Sequence, residues 1–190
     1  ARVRDLAERA GWRLSVVDAG EYADPAYRAN PVNRCYYCKT NLYGTIARLT
    51  SAQILSGANT DDLGEYRPGL DAAREHGVRH PYVEAGISKG VVRALARQLG
   101  LGAIAELPAA PCLSSRIETG IGIEADMLAS VHAAERYVAR MLGPKTVRCR
   151  VRASGVVIEL DRETLGALDP GIRATMLGAV TPVPDSLSEY

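Results

Sequence analysis

The chain has 190 residues, of which 47% are hydrophobic and 24% charged, and its net charge at pH 7 is +1. This composition is typical of a globular protein with one good core, and the small net charge argues against the nucleic-acid-binding class. The apolar runs are too short to span a bilayer and no signal peptide opens the chain. We therefore expect a cytoplasmic protein that binds neither nucleic acid nor membrane.

The first part of the chain alternates between helical and extended patterns. Arg2–Ala10 predicts a helix that ends at Gly11, and the β-branched, alternating segment Trp12–Val17 predicts a strand. A second helix is expected over Tyr36–Leu49, followed by a short buried strand over Ala52–Leu55. Strands that alternate with helices predict a parallel sheet with helices packed on it.

The later part of the chain predicts helices around one hairpin. We place a boundary near residues 115–120, which gives an α/β domain over 1–117, a small α+β domain over 118–180 and a disordered or altered tail over 181–190. The predicted elements are a helix from Pro68 or Gly69 to Glu75, a helix over Lys89–Leu99 capped by Ser88, a helix over Ala125–Leu142, strands over Thr146–Val151 and Val156–Leu160, and a final helix over Arg162–Leu177.

Three of the four cysteines predict chemistry. Cys35 and Cys38 form a Cys-x-x-Cys pair, and Cys112 lies in a distant loop. Three thiols with no partnered histidine suit an iron–sulfur cluster with one free iron. A redox pair in which Cys112 attacks and Cys35 or Cys38 resolves stays open, as does a simple Cys35–Cys38 disulfide. Cys149 lies between two arginines in a predicted strand, so we expect it to be a buried core residue.

Polar loops offer candidate ligands for a nucleotide. Asp61 and Asp62 follow a predicted strand and suit magnesium, and Arg67 suits a phosphate or carboxylate. Arg148 and Arg150 share one face of a predicted strand, a pairing that suits a phosphate. Solvated loop and sheet residues explain both patterns equally well. The chain contains no glycine-rich phosphate-binding loop of the two common types.

Several segments in this order together resemble the LarE-type sulfur transferases, PP-loop enzymes that make the nickel-pincer nucleotide cofactor of lactate racemase. The resemblance extends from about Arg2 to Leu177. The matching segments are Arg34–Lys39, Gly57–Asp62, Tyr66–Leu70, Pro111–Arg116, Ala133–Tyr137, Val147–Arg150 and Ile158–Leu160.

The resemblance implies a parallel-sheet PP-loop domain of the adenine nucleotide alpha hydrolase type. It further implies that ATP, with Mg²⁺, adenylates a carboxylate of a pyridinium dicarboxylate mononucleotide and that sulfur then displaces AMP. In one branch of the family the sulfur comes from the cysteine that matches Cys112. In the other branch three cysteines hold a 4Fe–4S cluster, and Cys35 and Cys38 place this sequence there.

We therefore expect Cys35, Cys38 and Cys112 to be both the catalytic residues and the ligands of a 4Fe–4S cluster. The family's N-terminal Ser-Gly-Gly-x-Asp-Ser loop has no counterpart here, so we expect an N-terminally truncated form. The expected partners are a small-molecule nucleotide substrate and a second copy of the chain in a homo-oligomer. The residues expected to bind the cofactor or substrate are Lys39, Asn59, Asp61, Asp62, Arg67, Arg116, Arg148 and Arg150.

Two other functions stay open from sequence alone. One is a different PP-loop thiolase, acting on tRNA or on a sulfur carrier. The other is an inactive fragment or remnant that binds a metal or a partner.

Overall fold

A computed structural model describes the backbone of residues 2–179 and 186–189 and the side chains of residues 3–175. Within these ranges helices dominate, and the strands lie in the C-terminal part. The helices are α1 (Arg2–Ala10), α2 (Pro25–Arg28), α3 (Arg34–Leu49), α4 (Pro68–Glu75), α5 (Pro81–Glu84), α6 (Lys89–Gln98), α7 (Gly102–Ala105), α8 (Ala125–Leu142), α9 (Arg162–Gly166) and α10 (Pro170–Ala179), and the strands are β1 (Val147–Arg152), β2 (Gly155–Leu160) and β3 (Ser186–Glu189).

The C-terminal part is built from α8 packed on a three-stranded sheet. Strands β1 and β2 form the predicted antiparallel hairpin, and β3 pairs parallel to β2. Helix α8 has the predicted bounds, and it ends because Gly143 adopts the left-handed conformation, with a φ of 60°. The largest cluster of buried side chains lies between this helix and the hairpin: Ile117, Val131, Ala134, Val138, Cys149, Ile158 and Leu160.

The single final helix predicted over Arg162–Leu177 is wrong, because the structure has two helices there, α9 and α10. Proline at the first position of α10 has no amide hydrogen to donate and cannot continue α9. Asp169 starts the second helix instead, since its carboxylate accepts the amide hydrogens of Gly171 and Ile172 at 2.7 and 2.9 Å.

The N-terminal part centres on α3, which packs against α4 over a small core of Tyr43, Ala73 and Val78. The two helices approach closely at Gly69, where a Cβ atom would lie 3.0 Å from Cγ of Lys39. The predicted helices over Arg2–Ala10, Tyr36–Leu49 and Pro68–Glu75 are confirmed.

Both strands predicted in the N-terminal part are wrong. Trp12–Val17 belongs to neither a helix nor a strand, and Ala52–Leu55 contributes only an isolated parallel bridge from Leu55 to Arg79. A strand needs a neighbouring strand to satisfy its amide and carbonyl groups, and the described part of the chain brings none beside either segment. The parallel sheet expected for this part is therefore not shown.

Two further findings concern the C-terminal tail and the hydrophobicity of the helices. Of the predicted tail over 181–190, the structure describes Ser186–Glu189, which form β3, and the rest of the tail lies outside the described residues. None of the helices in the described part is long and apolar enough to cross a membrane.

Candidate functional site

The first turn of α3 carries two of the three candidate thiols. Helix α3 begins at Arg34, so Cys35 and Cys38 lie three residues apart and share one helix face. Cys35 is exposed and Cys38 is partly buried. Helical geometry alone thus directs both sulfur atoms to the same side.

The third candidate thiol lies in the same neighbourhood. Cys112 is exposed and immediately precedes a 3₁₀ turn over Leu113–Arg116, which we call the Cys112 loop together with Pro111 and Cys112 itself. Burial raises the pKa of the Cys38 thiol, followed by the negative charge of Glu21, while Lys39 lowers it; charge on Cys112 or Cys35 raises it further. A hydrogen bond of 3.2 Å from Arg34 to the Ser114 carbonyl oxygen places the Cys112 loop beside the first turn of α3, although Cys35 and Cys112 are 77 residues apart in sequence.

The thiols are neighbours but do not yet form a ligand set. All four cysteines are free, so the Cys35–Cys38 disulfide considered from sequence is absent from the structure. Across the described residues, no three cysteine, histidine, aspartate or glutamate side chains lie close enough to hold a metal ion together.

A cavity of about 640 Å³ lies beside Cys35, between α3, the start of α4 and the loop before it. It contains four of the residues predicted from sequence, because Cys35 lines it together with Lys39, Asp62 and Arg67. Its volume falls within the range of about 300–1,000 Å³ that small-molecule sites occupy. A thiol and two cationic side chains therefore face the same space.

The other polar residues of this loop have structural partners. Asn59 and Asp62 form a capping box for the 3₁₀ helix over Thr60–Gly64, and Asp61 accepts the Lys89 amide hydrogen at 3.3 Å. Arg67 forms ion pairs with Asp62 and Glu65 at 3.1 and 2.8 Å. Capping accounts for the two aspartates without a metal.

Sequence reasoning missed three hydrogen-bonded residues that also line the cavity, namely Tyr43, Ser56 and His80. Ser56 Oγ lies 2.6 Å from Nδ1 of His80, and the hydroxyl of the buried Tyr43 also hydrogen-bonds Ser56. Burial raises the pKa of Tyr43. No pattern in the sequence links these three residues, because the bridge between Leu55 and Arg79 is what aligns them.

Arg116 holds the backbone of the Cys112 loop. Its buried guanidinium forms an ion pair with Glu135 at 2.8 Å and donates hydrogen bonds to the carbonyl oxygens of Pro111 and Cys112 at 3.0 and 3.2 Å. Glu135 also accepts the Cys149 amide hydrogen at 3.0 Å. The predicted ligand role of Arg116 stays a prediction, and its observed contacts position Cys112.

The remaining predicted arginines lie on the exposed face of β1. Arg150 and Arg152 both contact the nearly buried Glu159 carboxylate at 2.6 Å, and Arg150 lines a second cavity of about 470 Å³ with Arg116. Arg148 donates to the Ala109 carbonyl oxygen at 3.3 Å, which ties β1 to the chain before Cys112. Glu159 was missed, although a lone carboxylate between Ile158 and Leu160 opposite two arginines was a usable signal.

The prediction for Cys149 is confirmed. Its side chain is fully buried between α8 and the hairpin, and burial raises the pKa of this thiol to about 11. It is therefore protonated at neutral pH and separate from the other three thiols.

The chain was compared with family models and with curated proteins. No family model matches the chain. The chain is 35% identical to pyridinium-3,5-bisthiocarboxylic acid mononucleotide synthase of Lactiplantibacillus plantarum. That match spans 169 residues, 87% of this chain and 60% of the synthase.

Two uncharacterized proteins are also similar. One is slr1717 of Synechocystis sp., which is 42% identical over 170 residues, 86% of this chain and 63% of that protein. The other is MJ0830 of Methanocaldococcus jannaschii, which is 26% identical over 136 residues, 70% of this chain and 52% of that protein. The chain thus spans about 60% of the length of the first two relatives.

Proposed function

We propose that this chain belongs to a LarE-type sulfur transferase that converts a carboxylate of a pyridinium dicarboxylate mononucleotide into a thiocarboxylate. The observation that carries the proposal is that the Cys35 thiol opens into the same cavity as the cationic groups of Lys39 and Arg67. Sulfur transfer to a nucleotide needs a sulfur atom close to groups that can bind a phosphate, and lysine and arginine are such groups. The name of the L. plantarum relative, a bisthiocarboxylic acid mononucleotide synthase, supports the same product class.

The proposed chemistry takes two substitutions. A substrate carboxylate oxygen first attacks the α-phosphorus of ATP, with Mg²⁺ bound, and pyrophosphate leaves. A sulfur nucleophile then attacks the carbonyl carbon of the mixed anhydride, so that a C–S bond forms, the C–O bond breaks and AMP leaves. Neither step changes the oxidation state of the acyl carbon.

The residues of the first cavity fit the nucleotide-binding part of this scheme. Arg67 is half-exposed and its carboxylate partners lie at the cavity wall, so its guanidinium can exchange them for a phosphate. Lys39 lies on α3 one residue beyond Cys38 and supplies a second positive charge. Asp62 lines this cavity, whereas Asn59 and Asp61 lie beside it in the chain, and the assignment of these three residues to Mg²⁺ rests on the family resemblance. The assignment of Arg148 and Arg150 to the substrate phosphate has the same basis, and Arg150 lines the second cavity.

The sulfur source is assigned to the three grouped thiols. Thiolates are the usual ligands of iron–sulfur clusters, so Cys35, Cys38 and Cys112 suit a 4Fe–4S cluster in kind. When bound, such a cluster supplies sulfide at an iron that no protein thiol occupies. The raised pKa of Cys38 means that ligation releases a proton from this residue.

Anaerobic reconstitution with iron and sulfide tests the cluster assignment. We expect the absorbance and the EPR signal of a 4Fe–4S cluster in the parent chain, and loss of both in Cys35→Ala and Cys112→Ala. Cys149→Ala is the matched control and should reconstitute like the parent. A Cys35→Ala chain that builds the cluster fully would contradict the assignment.

Calorimetric titration with AMP and with the pyridinium dicarboxylate mononucleotide tests the cavity. We expect Arg67→Ala to weaken binding about tenfold or more, since a charge-assisted hydrogen bond is worth about 1.5–3 kcal/mol. Arg74→Ala, which removes an exposed arginine of α4 outside the cavity, is the control. Equal affinities in the two variants would rule out a nucleotide site at Arg67.

A further inference from the structure

A largely buried set of polar residues joins the helix of the Cys-x-x-Cys pair to the Cys112 loop. We call it the Ser114 clamp and define it as Tyr27, Asn30, Arg34 and Ser114. Arg34, the first residue of α3, donates hydrogen bonds from Nη1 to the Ser114 carbonyl oxygen at 3.2 Å and to Oδ1 of Asn30. Ser114 lies two residues after Cys112 in the chain, and Arg34 immediately precedes Cys35.

Asn30 accepts a hydrogen bond from Arg34 and is itself held in place by the chain after the Cys112 loop. Its side chain is fully buried, and its amide nitrogen donates to the carbonyl oxygens of Glu118 and Ile121 at 2.8 and 2.9 Å. Its φ is 53°, a left-handed conformation that asparagine tolerates better than most residues. The side-chain nitrogen of Asn30 therefore bonds carbonyl oxygens of the chain after the Cys112 loop, while its side-chain oxygen accepts a hydrogen bond from Arg34.

The side chain of Tyr27 hydrogen-bonds the side chain of Ser114. The Tyr27 hydroxyl lies 2.6 Å from Oγ of Ser114, and both residues are buried. Charges on Cys38 and on Cys112 both act on Tyr27, so its ring lies near both thiols. Both polar groups of Ser114, the hydroxyl and the carbonyl, are thus held by residues that adjoin the Cys-x-x-Cys turn.

Hydrogen bonds, rather than apolar contacts, define the clamp. Arg34 and Asn30 are held by directed hydrogen bonds, and a buried donor or acceptor left without a partner costs more than the bond itself. The Ser114 carbonyl oxygen also accepts the Ile117 amide hydrogen at 3.1 Å, so loss of Arg34 leaves Oδ1 of the fully buried Asn30 without this donor and removes the hydrogen bond that ties the Cys112 loop to α3.

We propose that Arg34 and Asn30 are positioning residues that hold the Cys112 loop against the Cys-x-x-Cys turn, so that the three thiols converge on one site. The inference rests on the proposed function for the use of the thiols. The geometry of the clamp stands independently of any cofactor or substrate.

Crosslinking of two thiols by dibromobimane, which fluoresces strongly only after both of its arms have reacted, tests the clamp. The parent is Cys35→Ala, which leaves Cys38 and Cys112 as the accessible pair. We expect Arg34→Ala and Asn30→Gly to slow crosslinking of this pair at least about tenfold, since each removes buried hydrogen bonds. Asn30→Gly keeps the left-handed backbone, so it isolates the amide. Arg34→Lys should recover part of the rate.

Arg28→Ala is the matched control. Arg28 also joins the α2 region to the chain after the Cys112 loop, through an exposed ion pair with Glu124 at 2.7 Å, and its loss should leave the crosslinking rate unchanged. Protection of the buried Cys149 from alkylation reports that a variant is folded. If Arg34→Ala exposes Cys149, the crosslinking rates of Asn30→Gly and Arg34→Lys are compared with that of the parent instead.

A parent-like crosslinking rate in every variant that protects Cys149 would overturn the proposal, and so would an equal loss in Arg28→Ala. The assay needs neither iron nor nucleotide. A chain that never builds a cluster would therefore disprove the cluster and leave this result standing.

Discussion

The two halves of the molecule treat the same sequence pattern differently. Val147–Arg152 and Trp12–Val17 both alternate apolar and polar residues, but only the first becomes a strand. In the C-terminal half the hairpin partner follows after two turn residues and α8 covers the apolar face, so that Ile158 is fully buried. In the N-terminal half Trp12 and Val16 remain 55% and 64% exposed. An extended pattern therefore becomes a strand only where the chain also supplies a partner.

We expect the largest loss of stability when the buried ion pair between Arg116 and Glu135 in the C-terminal half is broken. Glu135→Gln should lower the free energy of unfolding by about 3–5 kcal/mol, because it leaves the Arg116 guanidinium buried without a counter-charge. Chemical denaturation monitored by circular dichroism measures this. Glu163→Gln, at an exposed ion pair with Lys145, is the control and should produce no measurable change. Equal effects in the two variants would show that Arg116 is solvated.

A smaller effect is expected from core truncation. Ile158→Ala should cost about 2–5 kcal/mol, as is usual for a buried isoleucine that leaves a cavity. Val16→Ala in the unpaired segment should stay within about 0.5 kcal/mol, because this side chain has little to lose. Both values come from urea denaturation of the full chain. A Val16→Ala cost close to that of Ile158→Ala would mean that the segment packs in solution.

The smallest effect concerns the pH dependence of stability. The pKa of Cys149 is about 11 in the folded chain and about 9 when exposed, so the unfolded chain loses this proton first as pH rises. The contribution of Cys149 to stability is therefore intact below pH about 9 and declines as pH rises through about 11. Cys149→Ala should make the stability curve flatter in this window. Identical curves for the parent and Cys149→Ala would disprove the raised pKa.

The sequence by itself determined the helices over Arg2–Ala10, Pro68–Glu75 and Ala125–Leu142, because capping residues and 3.6-residue periodicity act within one segment. It also determined the hairpin and the burial of Cys149, since the pairing partner is only a few residues away. The sequence also predicted that Cys35 and Cys38 lie on one side of a helix, because their spacing of three residues decides which helix face they share.

Only the tertiary structure decided what lies around the candidate site. It left Trp12–Val17 and Ala52–Leu55 without partner strands, whereas the break before Pro170 follows from local residues that sequence reasoning overlooked. It also brought Asn30 and Arg34 into hydrogen bonds with carbonyl oxygens that lie 88 and 80 residues further along the chain. Hydrogen bonds between distant segments leave no periodic trace in the sequence, because one contact constrains a single residue in each segment. The neighbourhood of the three thiols is therefore a property of the fold.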